Sequence, residues 1–440
     1  MADRFPSFWL RLALVAYAAL WLLGLPLVLV YLWRRGRKDP VYSAHLSERF
    51  GTHRAFSSGA IWIHAVSLGE LRSAVPLIRA LLDRGEHIVT THFTPTGRRE
   101  AQQVFSADIA AGRMRVAWVP FEYGFAYRQF FKTFAPKCGL VMEIEIWPRM
   151  IMAARKAGVP LYMCNAQYPS KSYARDGRTG LRAQLMQGFA GALVKSDLQA
   201  ERFASVGVRN IHVTGELRFD QPIPAAQVKA GAMARDWLGA ATRVTIAVAS
   251  AVEGEDAVYI QTILSLRAYH QANGLPRPQI VYVPRKPERF ETVAALLTEA
   301  GLSIARRSVC IDRNLSPCGD PPDVDVLIGD SLGEMYFYLA IADRVIVGGG
   351  FIAAGAHNIS EALAMGKPVL TGPSVWTIEF PFVEAAAAAV AESVPDGPAL
   401  LAALQLPVPP QKPAEIATFF AAHAGATQRT VAAMDVLLRK

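Results

Sequence analysis

The chain has 440 residues, of which 52% are hydrophobic and 19% charged, and its formal net charge is +9. This length predicts roughly two to three domains of about 150 residues each. A chain with this hydrophobic content can bury enough apolar surface to fold, and this excludes an intrinsically disordered protein. Long apolar runs occur only near the N-terminus, which does not support a protein with several membrane spans. The four cysteines form no CxxC pair and are typical of free thiols in a reducing compartment.

The N-terminal segment, residues 1–38, has the features of a membrane anchor. No charged residue occurs from Leu12 to Trp33, a run of 22 residues. As a helix, this run could just cross a hydrocarbon core of about 30 Å. Gly24 and Pro26 would bend it or make it shallow and re-entrant. Because the apolar region is too long for a cleaved signal peptide, we expect an uncleaved anchor that either spans once or lies in the inner leaflet.

Positive charge concentrates beside this segment. Residues 1–60 contain eight basic residues against three acidic ones, and Arg34, Arg35, Arg37 and Lys38 follow the apolar run directly. Such a cluster favours keeping the rest of the chain on the cytoplasmic face of the inner (plasma) membrane, next to anionic lipid. The remaining chain has little net charge and no nucleic-acid-binding motif, so a nucleic-acid partner is not expected.

After the anchor, short β-rich runs alternate with helix-length amphipathic runs. This alternation predicts βαβ units and parallel sheets covered on both faces, an α/β architecture. A Pro- and Ala-rich stretch at 221–227 interrupts the pattern, which restarts at 244. We predict two doubly wound domains, 39–222 and 241–412, and a C-terminal helix at 413–440 that packs back toward the first. Ligands of such sheets bind at the carboxyl ends of the strands, so we expect a cleft between the two domains.

Glu70 follows the first predicted strand in the motif HAVSLGE (64–70) and allows two interpretations. Ser67 and Glu70 have the spacing of a helix-capping box, which would make Glu70 structural. A carboxylate at the carboxyl end of a strand is also placed to act as a general base. Spacing alone does not decide between them.

Glu143 and Glu145 occur in the motif MEIEIWP (142–148), where we predict that they share one face of a buried strand. Two acids among Met, Ile and Trp are costly to desolvate without partners. Acids in such surroundings are often functional, and the alternative is a buried ion pair.

Glycines and polar residues in the second half favour a phosphate or nucleotide site. Gly348–Gly350 would permit close backbone approach to a ligand, and Arg285 would supply a fixed positive charge for a phosphate. Asn358 and Glu361 have the N-x-x-E spacing of a helix cap. Alternatively, Glu361 would bind ribose hydroxyls while the helix N-terminus meets a phosphate.

Several enzyme classes lose support because their motifs are missing. The sequence contains no G-x-G-x-x-G, P-loop, HExxH or G-x-S-x-G pattern, so NAD, ATP, zinc and serine-hydrolase chemistry are not favoured. The histidines at 64, 87, 92 and 357 are interpreted as core or rim groups rather than metal ligands. We expect neither a metal nor a cofactor.

Seven motifs occur in the order typical of the 3-deoxy-D-manno-octulosonic acid (Kdo) transferases, and the chain resembles this family from the anchor to GKPVLTGP (366–373). The motifs are HAVSLGE (64–70), TPTG (94–97), MEIEIWP (142–148), TGELRFD (214–220), PRKPERF (284–290), GDSLGEM (329–335) and HNISEAL (357–363). The resemblance implies a GT-B fold with two Rossmann-like domains. It also implies an inverting, metal-independent glycosyltransferase that moves Kdo from CMP-Kdo to a lipid A precursor (lipid IVA) in lipopolysaccharide inner-core biosynthesis.

The resemblance also implies roles for individual residues. Glu70 would deprotonate the acceptor hydroxyl, and Glu143 and Arg218 would stabilise the transition state. The C-terminal domain would hold CMP through residues of three motifs, namely Pro284, Arg285, Leu332, Gly333, Glu334, Asn358, Ile359, Ser360 and Glu361.

Some positions depart from the family pattern. Arg218 replaces a lysine, Gln167 an arginine, Lys286 a histidine and Ala356 a glycine, and the family's ASTHEGE motif is ASAVEGE (249–255) here. These changes cluster where an acceptor or the donor sugar could be recognised. A GT-B transferase with another activated sugar or acceptor, a related ulosonic acid as donor, or a degenerate glycolipid-binding paralogue therefore remain alternatives.

Overall fold

The computed structural model describes residues 5–176 and 180–439, so residues 1–4 of the predicted anchor and Lys440 lie outside the described residues. The chain divides into two compact units. Unit 1 comprises residues 1–221 together with 424–440, and unit 2 comprises residues 222–423.

Unit 1 is built on a seven-stranded sheet in the order β3-β2-β1-β4-β5-β6-β7. Every pairing in it is parallel, so all carboxyl ends of the strands lie at one edge. The strands are β1 (Ile61–His64), β2 (Ile88–His92), β3 (Met114–Trp118), β4 (Cys138–Met142), β5 (Leu161–Ala166), β6 (Gly191–Val194) and β7 (Ile211–Val213).

Helices cover both faces of this sheet and bury two apolar clusters against it. They are α1 (Phe8–Gly36), α2 (Leu46–Arg49), α3 (Leu68–Asp83), α4 (Pro95–Val104), α5 (Ser106–Ala110), α6 (Gly124–Phe134), α7 (Pro148–Ala157), α8 (Ser170–Asp176), α9 (Leu181–Met186) and α10 (Asp197–Ser205). Short 3₁₀ turns occur at Pro40–Tyr42 and Leu217–Asp220.

Unit 2 repeats the plan with a second parallel seven-stranded sheet in the order β10-β11-β9-β8-β12-β13-β14. Its strands are β8 (Thr245–Ala251), β9 (Gln279–Pro284), β10 (Ile304–Arg306), β11 (Val326–Ile328), β12 (Arg344–Val347), β13 (Val369–Thr371) and β14 (Ala391–Ser393). The two parallel sheets confirm the α/β architecture expected from the alternation of β-rich and helical runs.

The remaining helices are α11 (Ala225–Trp237), α12 (Asp256–Ala272), α13 (Phe290–Glu299), α14 (Arg307–Cys310), α15 (Met335–Ile341), α16 (Ser360–Ala364), α17 (Glu379–Ala387), α18 (Gly397–Gln405), α19 (Lys412–His423) and α20 (Ala426–Leu438). Turns of 3₁₀ helix occur at Ala240–Thr242 and Pro287–Arg289.

The C-terminal segment differs from the single helix predicted at 413–440. It forms two helices, of which α19 belongs to unit 2 and α20 to unit 1, where α20 packs on α3. Gly425 lies between them with φ +84°, a left-handed conformation that favours glycine and interrupts the helix.

Helix α1 is long and apolar enough to cross a membrane, as the sequence predicted from its length and composition. Only a small share of its surface is buried in the protein, including Leu10, Leu14 and Leu32. An N-terminal signal sequence passes the same test of length and composition. The helix could therefore anchor the protein to a membrane.

Candidate active site

Glu70, Glu143 and Arg218, which the sequence analysis singled out separately, come together at the carboxyl edge of the unit 1 sheet. Glu70 follows β1, Glu143 follows β4, and β1 and β4 are neighbours in the sheet. Arg218 lies in the 3₁₀ turn after β7. Its Nη2 approaches Glu143 Oε1 at 3.6 Å, and its Nε donates to Ser73 Oγ at 2.7 Å, one turn along α3 from Glu70.

Glu70 forms the hydrogen bonds of a helix cap. Ser67 Oγ accepts from the backbone N–H of Glu70 at 3.4 Å and donates to Glu70 Oε1 at 3.1 Å. Glu70 Oε2 accepts from the backbone N–H of Val66 at 2.6 Å. The structural interpretation is therefore supported by geometry, but it does not exclude chemistry, because each carboxylate oxygen keeps a second lone pair.

The environment of Glu70 makes its carboxyl group a stronger base than an ordinary carboxylate. Its side chain is buried, with 8% exposed. Burial, followed by the negative charges of Glu143 and Glu145, raises the pKa of Glu70 to about 8, although the hydrogen bonds from Val66 and Ser67 oppose this shift. Once it has lost its proton, which happens as the pH rises to about 8, this carboxylate accepts a proton more readily than an ordinary one, as a general base requires.

The prediction that Glu143 and Glu145 share one face of a strand is wrong. Strand β4 ends at Met142, and both glutamates lie in the turn between β4 and α7. Glu143 has φ 57°, while its backbone N–H still donates to Cys164 O at 2.8 Å. The positive φ ends the strand, and Pro148 then begins a helix.

Glu145 lies in a more apolar part of this turn than Glu143. Trp147 Nε1 donates to Glu145 Oε2 at 2.7 Å, and the indole ring packs edge-on against His64 and Phe93. Burial raises the pKa of Glu145 above its ordinary value. The MEIEIWP motif thus brings a second carboxyl group of perturbed pKa beside Glu70, a feature typical of functional sites.

A buried ion pair between Lys195 and Glu216 supports the turn that carries Arg218, and sequence analysis missed it. Lys195 Nζ lies 2.6 Å from Glu216 Oε2, with 4% and 2% of the two side chains exposed. Asn165 Nδ2 donates to Glu216 Oε1 at 2.9 Å, and Asn165 Oδ1 accepts from the backbone N–H of Leu217 at 3.0 Å. Lys195 also donates to Gln167 Oε1 at 3.4 Å, the position where the family pattern has arginine.

The predicted CMP-binding motifs of unit 2 follow strands β9, β11 and β12, of which β9 and β11 are neighbours and β12 is separated from β9 by β8. Pro284 is the last residue of β9, and the backbone N–H of Arg285 donates to Ala251 O at the end of β8. The Arg285 side chain is exposed. Burial, and then the positive charge of Arg285, lowers the pKa of His357 to about 4, which places Arg285 near the HNISEAL motif.

In the GDSLGEM motif the Glu334 carboxylate is paired within the protein, so the groups left to bind a ligand are those of the backbone. Leu332 is exposed, and Gly333 has φ +79°. Arg307 holds the Glu334 side chain, with Nε 2.7 Å from Oε2 and Nη2 2.9 Å from Oε1. Ser331 Oγ also donates to Glu334. The carboxylate of Glu334 is therefore already engaged within the protein.

Residues 358–361 form the turn into α16. Asn358 Oδ1 accepts from the backbone N–H of Ser360, the first residue of α16, at 3.0 Å, whereas Ile359 holds the N-cap position of that helix. Ile359 and Ser360 are buried, whereas Glu361 is partly exposed. Burial, and then the negative charge of Glu361, raises the pKa of Tyr336, so Glu361 lies near the segment that follows GDSLGEM.

Glu255 organises the glycine-rich loop after β12, a role that the sequence analysis did not assign to it. Its side chain is fully buried. Its Oε2 accepts from the backbone N–H of Gly349 at 2.7 Å, and its Oε1 accepts from that of Phe351 at 2.9 Å. Gly349 has φ +92°, and a Cβ there would lie 2.3 Å from Gly355 O, so only glycine fits.

The histidines and cysteines show the environments expected of structural groups. His64 and His92 are buried, and burial lowers the pKa of His64 to about 3 and that of His92 to about 4. All four cysteines are free, as predicted. Across residues 5–176 and 180–439, no group of three or more His, Cys, Asp or Glu side chains is placed to hold a metal ion.

Comparison with known proteins places the chain in a family. Residues 44–221 match the family described as 3-deoxy-D-manno-octulosonic-acid transferase (kdotransferase). The chain is 42% identical over 423 residues to the 3-deoxy-D-manno-octulosonic acid transferase of Bordetella pertussis, covering 93% of this chain and 96% of that protein. It is 30% identical over 373 residues to the Haemophilus influenzae transferase of the same name, covering 83% of each.

Solved structures show the fold. A putative UDP-N-acetylglucosamine 2-epimerase from Listeria monocytogenes aligns with a TM-score of 0.57 and 14% identity over 86% of this chain and 96% of that one. MurG from Acinetobacter baumannii aligns with a TM-score of 0.52 and 14% identity, covering 87% of this chain and all of that one. Together with the two parallel sheets, these likenesses establish the GT-B fold. From its sequence relatives and its fold, the chain belongs to the 3-deoxy-D-manno-octulosonic acid transferase family of glycosyltransferases.

Proposed function

We propose that this protein transfers Kdo from CMP-Kdo to a lipid A precursor, with inversion at the anomeric carbon and without a metal ion. The observation that carries the proposal is the buried Glu70 carboxyl group, whose pKa is raised to about 8, beside Glu143 and the Glu143-bound Arg218. The family relationship supports Kdo as the transferred sugar, because the named relatives are Kdo transferases. CMP-Kdo as the donor and a lipid A precursor as the acceptor are part of the proposal.

In the proposed reaction Glu70 accepts the proton of an acceptor hydroxyl. The resulting oxygen nucleophile attacks the anomeric carbon of Kdo, and the bond from that carbon to the phosphate oxygen of CMP breaks on the opposite face. Negative charge then develops on the leaving phosphate. Fixed donors and positive charges that face this phosphate lower the barrier without a metal.

We assign CMP binding to the loops of unit 2. Arg285 would pair with the phosphate, and Glu361 would accept from the ribose hydroxyls. Because Arg307 occupies the Glu334 carboxylate, we assign the backbone N–H groups of Gly333 and Glu334, rather than the Glu334 side chain, to the nucleotide. Pro284, Leu332 and residues 358–360 would shape the same pocket.

The membrane supplies the second substrate in this proposal. The apolar helix α1 and its basic flank would hold the enzyme on the cytoplasmic face of the inner membrane. A lipid A precursor embedded in that leaflet would then meet the enzyme without leaving the bilayer.

The test is CMP release by the purified full-length protein given CMP-Kdo and tetraacylated lipid A precursor. Glu70→Gln is the sharpest variant, because glutamine at this position of a helix still caps but cannot accept the proton. We expect Glu70→Gln to lower kcat by about 10²–10⁴, the usual contribution of a general base. An unchanged kcat would exclude Glu70 as the base.

Ser67→Ala is the matched control. It removes the cap hydroxyl but leaves the carboxylate, so it should cost about 1 kcal/mol of stability and retain most of the turnover. Thermal stabilisation by CMP, compared with UDP and GDP, tests the donor separately, because a bound ligand stabilises by mass action. Stabilisation by UDP or GDP instead of CMP would favour a GT-B transferase with another activated sugar.

A further inference from the structure

One stripe of helix α1 is packed on the rest of unit 1 along nearly the whole length of the helix. Leu10, Leu14 and Leu32 are buried, and Trp21 packs against Phe121 and Tyr123. These positions repeat at the spacing of one helix face. The stripe therefore continues from the first turn of the helix to its last.

Hydrogen bonds with polar groups elsewhere in unit 1 also hold the helix along this stripe. Ser7 Oγ donates to Gln184 Oε1 at 2.6 Å at the start of the helix. Arg149 Nη2 donates to the backbone oxygen of Leu14 at 2.9 Å, and Tyr123 Oη donates to that of Trp21 at 2.7 Å. Two of these bonds thus reach backbone oxygens inside the apolar run.

The surface of α1 that does not contact unit 1 is almost entirely apolar. Its large exposed side chains are Phe8, Trp9, Leu12, Val15, Leu20, Leu22, Leu23, Leu27, Val30, Tyr31 and Trp33. An apolar surface of this size is unfavourable in water and marks an interaction site. The helix is followed directly by Arg34, Arg35, Arg37 and Lys38, which suit anionic lipid head groups, so the hydrocarbon of a lipid leaflet is the partner that fits this surface.

A helix that spans the bilayer is incompatible with the contacts on its other face. The 29 residues of α1 are about 44 Å long, so a spanning orientation would place the middle of the helix at the bilayer centre. Tyr123 contacts the helix near its middle, at Trp21, and Arg149 contacts it about two turns nearer the N-terminus, at Leu14. Both would be drawn toward the hydrocarbon, together with the buried Glu122 that accepts from the backbone N–H groups of Arg149 and Met150. Charged side chains at that depth are strongly disfavoured.

We propose that α1 is a monotopic anchor: it stays docked on unit 1 and inserts its exposed apolar surface into a single leaflet of an anionic bilayer. Both ends of the helix then lie on the same side of the membrane. This proposal concerns the anchor alone and does not depend on the donor or acceptor of the reaction.

Cysteine labelling in membranes tests the sidedness. Cys138 and Cys164 are buried, and burial raises their pKa to about 12, so neither is expected to react with maleimide. Replacing the more accessible Cys310 and Cys318 by serine therefore gives a background without reactive thiols. Ala2→Cys and Lys38→Cys, each made separately in that background, place a thiol before and after α1. Reactivity of each with maleimide is first established in detergent.

A membrane-impermeant maleimide is then applied to inside-out vesicles and to spheroplasts of cells that express the full-length chain. We expect both cysteines to react in inside-out vesicles and to be protected in spheroplasts. Reaction of the two cysteines from opposite sides would overturn the proposal, because it requires a helix that crosses the bilayer.

Photocrosslinking tests whether the helix remains docked. The photoreactive amino acid p-benzoylphenylalanine is placed at position 21, in the packed stripe, or at position 23, where the leucine side chain is 76% exposed. In native membranes we expect position 21 to crosslink within the chain near Tyr123, and position 23 to form lipid adducts. Lipid adducts at both positions would show that the helix leaves unit 1 in the membrane, which contradicts a docked anchor.

Discussion

Arg218 joins the turn after β4 to helix α3, because its guanidinium approaches Glu143 Oε1 at 3.6 Å while its Nε donates to Ser73 Oγ. A guanidinium can make both contacts at once through its planar fork, whereas an ammonium is a single point charge. Arg218 therefore holds these two elements in register around Glu70.

Substitution of Arg218 should affect turnover far more than stability. We expect Arg218→Met to lower kcat by about 10²–10³, as removal of a fixed electrostatic donor does, and Arg218→Lys to cause a smaller loss. The ion pair with Glu143 is partly exposed, so its contribution to folding is below about 1 kcal/mol. Steady-state kinetics and thermal unfolding measured on the same preparations separate the two effects. A large fall in Tm with unchanged kcat would show that Arg218 is only structural.

The raised pKa of Glu70 predicts a specific pH dependence. A base acts when deprotonated, so kcat/KM should rise with pH and level off above about pH 8. Glu143→Gln removes a charge that raises this pKa and should move the midpoint to lower pH. Ser67→Ala removes a hydrogen bond that lowers it and should move the midpoint to higher pH. Shifts in the same direction for both variants would contradict the assignment of this limb to Glu70.

Stability should show the opposite trend with pH. The unfolded chain loses the Glu70 proton near pH 4.5, whereas the folded protein keeps it up to about pH 8. The stabilising effect of the neutral carboxyl group is thus present below pH 4.5 and declines as the pH rises to about 8. Chemical denaturation of the wild type and of Glu70→Gln across this range measures the difference.

Most of the fold was predictable because a buried parallel strand leaves a local signal in the sequence. Short β-rich runs followed by helix-length patterns correspond to strands of both sheets, as IWIH does to β1 and IVTTH to β2. Strand β14 was missed because Ala391–Ser393 lies in an Ala-rich region and two of its three residues are exposed. The split of the C-terminal segment at Gly425 was missed as well, since it depends on which unit each helix contacts.

The site was predictable only where function coincides with a local motif. Ser67 and Glu70 are three residues apart, so their cap is visible in the sequence. Glu255 accepts a hydrogen bond from the backbone N–H of Gly349. Because every residue except proline has a backbone N–H, such a partner cannot be recognised from the amino-acid sequence. Lys195 and Glu216 are 21 residues apart in the sequence and form their ion pair because β6 and β7 are paired in the sheet, which no local pattern shows. The sequence does hold one local signal for Glu255, because ASAVEGE (249–255), like MEIEIWP, places two acids close to the end of a strand.

Glu255 and Glu253 provide a matched pair two residues apart, the first buried and the second exposed. In Glu255→Gln an amide NH₂ would face a backbone N–H, so we expect a loss of about 1–3 kcal/mol and weaker CMP binding through the loosened glycine loop. Glu253→Gln should change stability by less than about 0.5 kcal/mol. Thermal unfolding and calorimetric titration with CMP measure both. Equal effects of the two variants would contradict the assigned role of Glu255.

The pair of Lys195 and Glu216 should be much more costly to break than to replace. Lys195→Met leaves a buried, uncompensated carboxylate and should destabilise the protein by about 3–5 kcal/mol, whereas the double change Lys195→Met with Glu216→Met should recover much of that loss. Chemical denaturation of the single and double variants gives the coupling between the two residues. Additive losses in this cycle would show that the two charges do not depend on each other.

The same pair should also govern acid stability. Burial opposes ionisation of Glu216, but Lys195, Arg218 and the hydrogen bonds from Lys195 and Asn165 outweigh it and hold its pKa below the ordinary value. Its contribution to stability is therefore present above pH 4.5 and is lost as the pH falls through the lower, folded pKa. In the double variant this acid-dependent loss should disappear. Since Glu216 immediately precedes Leu217, whose N–H is held by Asn165, the double variant should also lower kcat by displacing Arg218, even where its stability is recovered.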